Sequence, residues 1–173
     1  MTIYKQTLKQ SQELKDSVAI GQSLSSIASI YYEQDSIETA LEYHNYSFII
    51  NEKIDNKLGM GHSLRYIATI SRNKMEFSKA MNYYNRSLKI FEEIDDKLGI
   101  SKCYNGIGGI FRRKGNYDKA LENYIIAYEI KKELDLFITL GQQLGIQGIM
   151  CTHIGEYDKA LIYLNKSLEI HNK

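Results

Sequence analysis

The chain has no proline and no tryptophan in 173 residues. Average usage of ~5% would give about nine prolines. Their absence excludes collagen-like, polyproline and proline-rich linker structure. It also favours long uninterrupted helices, because proline breaks helix interiors. Cysteine is scarce: Cys103 and Cys151 form no C-x-x-C, and no two histidines stand at metal-ligand spacing. A disulfide framework and a zinc site are therefore not expected. Neither sign of charge dominates, with 22 basic and 21 acidic residues and a net charge of +1. That argues against nucleic-acid or anionic-membrane binding through bulk charge. Apolar runs are short, such as Tyr124-Ile125-Ile126-Ala127-Tyr128, so no segment reads as a membrane span. Residues 1–9 lack the apolar core of a signal peptide. The expectation is a cytoplasmic protein with no cofactor, either one domain or one stretch of a larger array.

What is present is an internal repeat. Ala40, Ala80, Ala120 and Ala160 recur every forty residues, as do Ile50, Ile90, Ile130 and Ile170. Ile37, Phe77, Tyr117 and Tyr157 precede the alanines by three. The segment 115–121, Gly-Asn-Tyr-Asp-Lys-Ala-Leu, returns nearly unchanged at 155–161. Each repeat reads as two helices. In the third, Tyr104, Ile107, Gly108 and Phe111 fall at i, i+3, i+4 and i+7, one helical face. Gly115 then suits a left-handed stop. First helices are predicted near 18–34, 58–74, 98–114 and 138–154. Second helices are predicted near 36–53, 77–93, 117–133 and 157–172. Asp55, Asp95 and Asp135 fall in the turns, placed to cap the next helix or meet its positive end. Small residues share registers: Ala28, Ala68, Gly108 and Gly148 on first helices, and Ser47, Ser87, Ala127 and Ser167 on second helices. Large neighbours fill the space that they leave.

Tyr104, Ile107, Gly108, Phe111, Gly115, Tyr117, Ala120, Tyr124 and Ala127 resemble the tetratricopeptide repeat signature, Trp-x2-Leu-Gly-x2-Tyr followed by spaced alanines and an aromatic. The resemblance covers nearly the whole chain. It departs in period, forty residues here against 34 in the common repeat. The family's closing proline is replaced by Lys132, as in a long-helix variant. Repeat two has Ser71 and Met75 at the usual Tyr and Gly positions, and repeat four has Gln147 at an apolar one. The resemblance implies an all-α fold: a right-handed superhelical α-solenoid of antiparallel helix pairs, with first helices lining a concave groove. It implies work as a holder of a peptide or a partner's helix. Regulatory modules of bacterial signalling proteins and peptide-sensing regulators carry such repeats.

The expected organisation is repeats at 14–53, 54–93, 94–133 and 134–173. Residues 1–13 read as part of a second helix from a preceding repeat, since Tyr4, Thr7 and Leu8 match the register of Tyr84, Ser87 and Leu88. No polar capping helix closes the other end. Two readings compete: a section of a longer solenoid, or a complete chain that covers its last helix by self-association.

The groove stripe reads His62, Arg65, Thr69 and Arg72 in repeat two, and Lys102, Asn105, Gly109 and Arg112 in repeat three, with Arg113 beside it. Repeat one contributes Gln22, Ser25, Ser29 and Tyr32, and repeat four Gln142, Gly145, Ile149 and Thr152. None of these is acidic. Arg72 and Arg112 are equivalent residues of successive repeats, with helices expected ~10 Å apart. The expected ligand-binding residues are Tyr32, His62, Arg65, Arg72, Lys102, Asn105, Gly109, Arg112 and Arg113. Arginine offers paired donors to carboxylates, so the expected partner is an acidic peptide or protein segment. The competing reading is a merely solvated basic face. Gly106 and Gly109 read as groove-side positions, open to close ligand approach or tolerated by a helix that its neighbours hold.

Catalytic signatures are missing. Gly106-Ile107-Gly108-Gly109 lies inside a helix rather than in a phosphate loop, and no G-x-S-x-G occurs. Cys151 takes a core register. The expected function is a non-enzymatic protein-interaction scaffold, in the role of a regulatory or sensor part of a signalling protein. The alternative is a structural element that stacks through its last helix, making a homo-oligomer. RNA binding is disfavoured by the charge.

Overall fold

The computed structural model describes residues 16–134 and 136–171. Among the described residues there are eight helices and no strand. They are α1 (Ser17–Glu33), α2 (Ile37–Lys53), α3 (Lys57–Asn73), α4 (Phe77–Glu93), α5 (Lys97–Arg113), α6 (Tyr117–Glu133), α7 (Phe137–His153) and α8 (Tyr157–His171). First helices start at residues 17, 57, 97 and 137, and second helices at 37, 77, 117 and 157. The forty-residue period of the sequence is thus the period of the backbone. First helices begin and end one residue earlier than the sequence predicts. Residues 1–13, read above as part of a further helix, and the turn residue Asp135 lie outside the described residues.

The one-residue difference has a cause in the turns. Asp55 and Asp95 do not cap the following helices. They hold the left-handed turn themselves, at φ 51° and 52°. The caps are the next residues. The Asn56 side chain accepts from the Gly59 N–H at 3.3 Å, and the Asp96 side chain from the Gly99 N–H at 3.1 Å. Each bond satisfies one of the free donors of a helix start. Gly115 and Gly155 turn the chain within their repeats at φ 74° and 82°. Met75 does the same job at φ 63° without glycine's freedom.

The helices form two compact units that divide between Asp95 and Asp96. The first holds α1–α4. Ala28, Ala40, Ala68 and Ala80 are fully buried there and let the paired helices approach, while Ile27, Leu64, Tyr84 and Phe91 fill the core around them. The second unit holds α5–α8. Ala120, Tyr124 and Met150 form its central cluster, with Phe111, Tyr117, Leu121 and Ile146 packed around it. A Cβ added at Gly108 would lie 2.9 Å from the Tyr124 ring, so this register must stay small. Gln147, at an apolar position of the repeat, is buried and donates to the Tyr124 carbonyl at 3.1 Å. Antiparallel pairing is marked at the helix ends: Lys57 meets Glu93 at 3.2 Å, and Lys97 meets Glu133 at 3.0 Å. These pairs are exposed and fix register more than they add stability.

Candidate binding site

Within the first unit, α1 and α3 carry the polar stripe, and α2 supplies its floor. The central feature is a three-residue stack. His44 of α2 is 1% exposed and lies parallel to Tyr66 of α3, with ring centroids 4.8 Å apart. The Arg65 guanidinium sits 4.1 Å from the same tyrosine ring centroid, a cation–π contact. Burial first, and then the Arg65 charge, push the His44 pKa down to about 4. The imidazole is therefore neutral near pH 7. His44 Nδ1 and Arg65 Nε are both buried and have no hydrogen-bond partner. The two residues border a pocket of about 230 Å³, together with Ser29, Tyr32, Glu33, Tyr66, Thr69 and Ile70. Tyr32 also borders an adjoining hollow of about 330 Å³ with Ile70, Asn73 and Lys74. The Asn73 amide donates to the Tyr32 hydroxyl there.

Arg72 ends the stripe on α3. Its Nη2 lies 3.4 Å from Asn73 Oδ1, and its Nε is buried without a partner. Among the described residues, no ion pair engages Arg65 or Arg72; every acidic partner is taken by a lysine. His62 sits differently. Its ring meets Phe91 edge-on at 5.2 Å, so it packs toward α4.

The second unit carries the other stripe residues, all on α5. Lys102, Arg112 and Arg113 are exposed, and Asn105 is half-buried with an unpartnered Oδ1. Lys131 of α6 has its pKa lowered, by burial first and then by the Lys102 charge. Gly106 and Gly109 are buried, so neither leaves open surface for a ligand. Cys103 and Cys151 are buried and form no disulfide, and burial chiefly pushes the Cys151 thiol up.

The sequence stripe thus contains Arg65 and Tyr32 but misses His44 and Tyr66, which complete the stack. The signal for His44 was its register. It is equivalent to Tyr84 and Tyr124, both core residues. An imidazole stands where repeats two and three bury a tyrosine and repeat four has Leu164.

The fold and this face define a helical-repeat scaffold, built from paired helices and carrying no described group of three or more metal-ligating side chains. The tetratricopeptide repeat family model matches residues 59–133, so that stretch consists of tetratricopeptide repeats. No curated protein matches the chain in sequence. Solved structures share the fold over nearly its whole length. BtubC (BKLC) from P. vanneervenii is 20% identical with a TM-score of 0.85, covering 99% of this chain and 71% of that one. Aspartyl phosphate phosphatase F from Bacillus subtilis is 14% identical with a TM-score of 0.89, covering 99% and 45%. A Rap protein complexed with competence and sporulation factor is 18% identical with a TM-score of 0.87, covering 96% and 47%. The chain therefore spans less than half of the latter two.

Proposed function

We propose that this protein is a non-enzymatic interaction scaffold that holds an acidic peptide or protein segment along its first-helix face. The observation that carries this reading is the pair Arg65 and Arg72. Both are partly buried, both have an unpartnered Nε, and neither has a carboxylate of its own. A partly desolvated guanidinium gains most from a carboxylate that enters with the ligand. In the second unit, Lys102, Arg112 and Arg113 are exposed basic residues of α5. A regulatory role in signalling fits the neighbour solved with competence and sporulation factor. Among the described residues, no helix is long and apolar enough to cross a membrane.

The test is selection of a displayed random-peptide library on the wild-type chain and on Arg72→Glu/Arg112→Glu. Wild type should enrich Asp- and Glu-rich peptides, and the double variant should lose them while keeping its mass in solution. Equal enrichment on both would overturn the basic-face reading.

A second reading rests on a separate observation. On α8, Tyr157, Leu161, Ile162 and Leu168 are all more than half exposed. Stacking of copies through this helix would cover them. Leu161→Asp/Leu168→Asp should then lower the mass measured by light scattering; an unchanged mass would exclude stacking by this face.

A further inference from the structure

We propose that the pocket between α1 and α3 binds a phenolic ring, supplied by a free small molecule or by a tyrosine side chain of a partner. This goes beyond the basic-face reading and does not rest on it: the ligand is neutral and aromatic, and no ion pair holds it.

Comparison of the repeats shows which group is missing. In the second repeat, Tyr84 of α4 is buried, and its hydroxyl lies 2.9 Å from Thr69 Oγ1 of α3. The third repeat buries Tyr124 at the same position. The first-repeat equivalents of Tyr84 and Thr69 are His44 on α2 and Ser29 on α1. Imidazole is shorter than phenol, and it carries no hydroxyl to reach across. His44 and Ser29 both border the pocket of about 230 Å³. A protein cavity of about 150 Å³ suffices for benzene. The larger volume takes one ring with a hydroxyl and a short substituent.

The walls select the class of ligand. Tyr32, Tyr66 and Ile70 supply aromatic and apolar surface, which suits a ring met flat or edge-on. Tyr66 is fixed by its stack on His44 and by the Arg65 guanidinium 4.1 Å from its centroid, so this wall is set before a ligand arrives. Arg65 and Glu33 border the pocket with one charge of each sign. A carboxylate would meet Glu33 and an ammonium would meet Arg65, whereas a neutral ligand meets no net charge. The hydroxyl has a partner too. Thr69 donates its own proton to the Arg65 carbonyl at 3.0 Å, so the Tyr84 O–H donates to Thr69 Oγ1. Ser29 repeats the first half of this arrangement: it donates to the Ser25 carbonyl at 3.1 Å. Its oxygen keeps lone pairs, and a bound phenol O–H donates to one of them.

The experiment titrates the whole chain with p-cresol, which is the tyrosine side chain, and with toluene, the same ring without the hydroxyl. Nuclear magnetic resonance follows the backbone amides of Ser29, Tyr32 and Thr69. Saturable shifts are expected, with p-cresol bound about fivefold more tightly than toluene, the worth of one hydrogen bond. Ser29→Ala should remove that difference and leave toluene binding as it was. His44→Tyr places the missing phenol in the pocket and should abolish binding of both probes while staying folded by circular dichroism. Ser29→Leu fills the pocket from α1 and gives the same loss independently. Arg72→Glu/Arg112→Glu should bind p-cresol as wild type does, since neither arginine borders the pocket. No saturable shift, or p-cresol binding that survives both filling variants, would overturn the site. Toluene bound as tightly as p-cresol on wild type would overturn the phenol. N-acetyltyrosine amide separates the two sources: binding at least as tight as p-cresol supports a partner's tyrosine, and weaker binding supports a free phenol.

Discussion

The Ser47 hydroxyl donates to the Gly21 carbonyl at 2.8 Å, across 26 residues of chain. The same bond recurs from Ser87 to Gly61 at 2.8 Å and from Ser167 to Gly141 at 2.7 Å. It ties each second helix to the first helix of its own repeat. The third repeat reverses the pair: Ser101 stands at the glycine position and Ala127 at the serine position. Ser101 Oγ is buried without a partner. Ser87→Ala should lower stability by about 1 kcal/mol, the usual net worth of one such bond. Ser101→Gly/Ala127→Ser should exceed Ser101→Gly alone by a similar amount in urea unfolding. Equal stability of those two would mean that the rebuilt hydroxyl does not bond.

The glycines on this register have unequal neighbours, so one substitution has two outcomes. A Cβ at Gly61 would meet the Phe91 ring at 2.7 Å, and Phe91 is fully buried. Gly61→Ala should therefore cost about 1–3 kcal/mol from overpacking. A Cβ at Gly141 would meet His171 at 2.6 Å, but His171 is exposed and can swing away. Gly141→Ala should be neutral, or stabilising by up to about 1 kcal/mol through helix propensity. Thermal unfolding of the two variants side by side checks the contrast.

His44 makes stability depend on pH in a defined window. Its folded pKa is about 4, below an ordinary value of 6.5. The unfolded chain therefore binds the extra proton first, and stability rises with pH. The contribution is complete above about pH 6.5 and is lost as pH falls toward 4. Its size is on the order of 3 kcal/mol, at about 1.4 kcal/mol per unit. Urea unfolding between pH 7 and pH 4.5 should show this slope in wild type and a flatter one in His44→Tyr. Glu38, whose pKa the Lys74 hydrogen bond and charge hold below the ordinary carboxylate value, begins to lose its own contribution only at the acid end of this range, in wild type and His44→Tyr alike.

The helix pattern was legible because each repeat writes it again. Ala40 and its equivalents, and Tyr104 through Phe111, place both helices of a pair to within a residue. The turns were less legible. Asp55 and Asn56 are both good capping residues, and side-chain type does not say which takes the left-handed turn and which the cap. The basic stripe was legible as charge, but its local packing was not. His62 turns to Phe91, and Gly109 is buried, because neighbouring helices and not helical spacing settle which positions stay open. His44 was hidden by its residue type. Its register with Tyr84 carried the information, and a histidine there looked like one of four scattered ones.

Met75 offers a gain in stability. It sits at φ 63°, a conformation that costs a side chain with a Cβ roughly 1 kcal/mol. The equivalents Gly115 and Gly155 hold the same conformation without that cost. Asp35, the first-repeat equivalent, pays it at φ 58°, softened by a short polar side chain. Met75 has no such help, and at 64% exposure it buries little apolar surface. Met75→Gly removes the strain but adds backbone entropy to the unfolded chain. The strain term is the larger at a left-handed position, so the variant should be more stable by up to about 1 kcal/mol. Met75→Ala keeps the Cβ and should show no such gain, which makes the pair, compared by thermal unfolding, a test of backbone strain and not of side-chain loss.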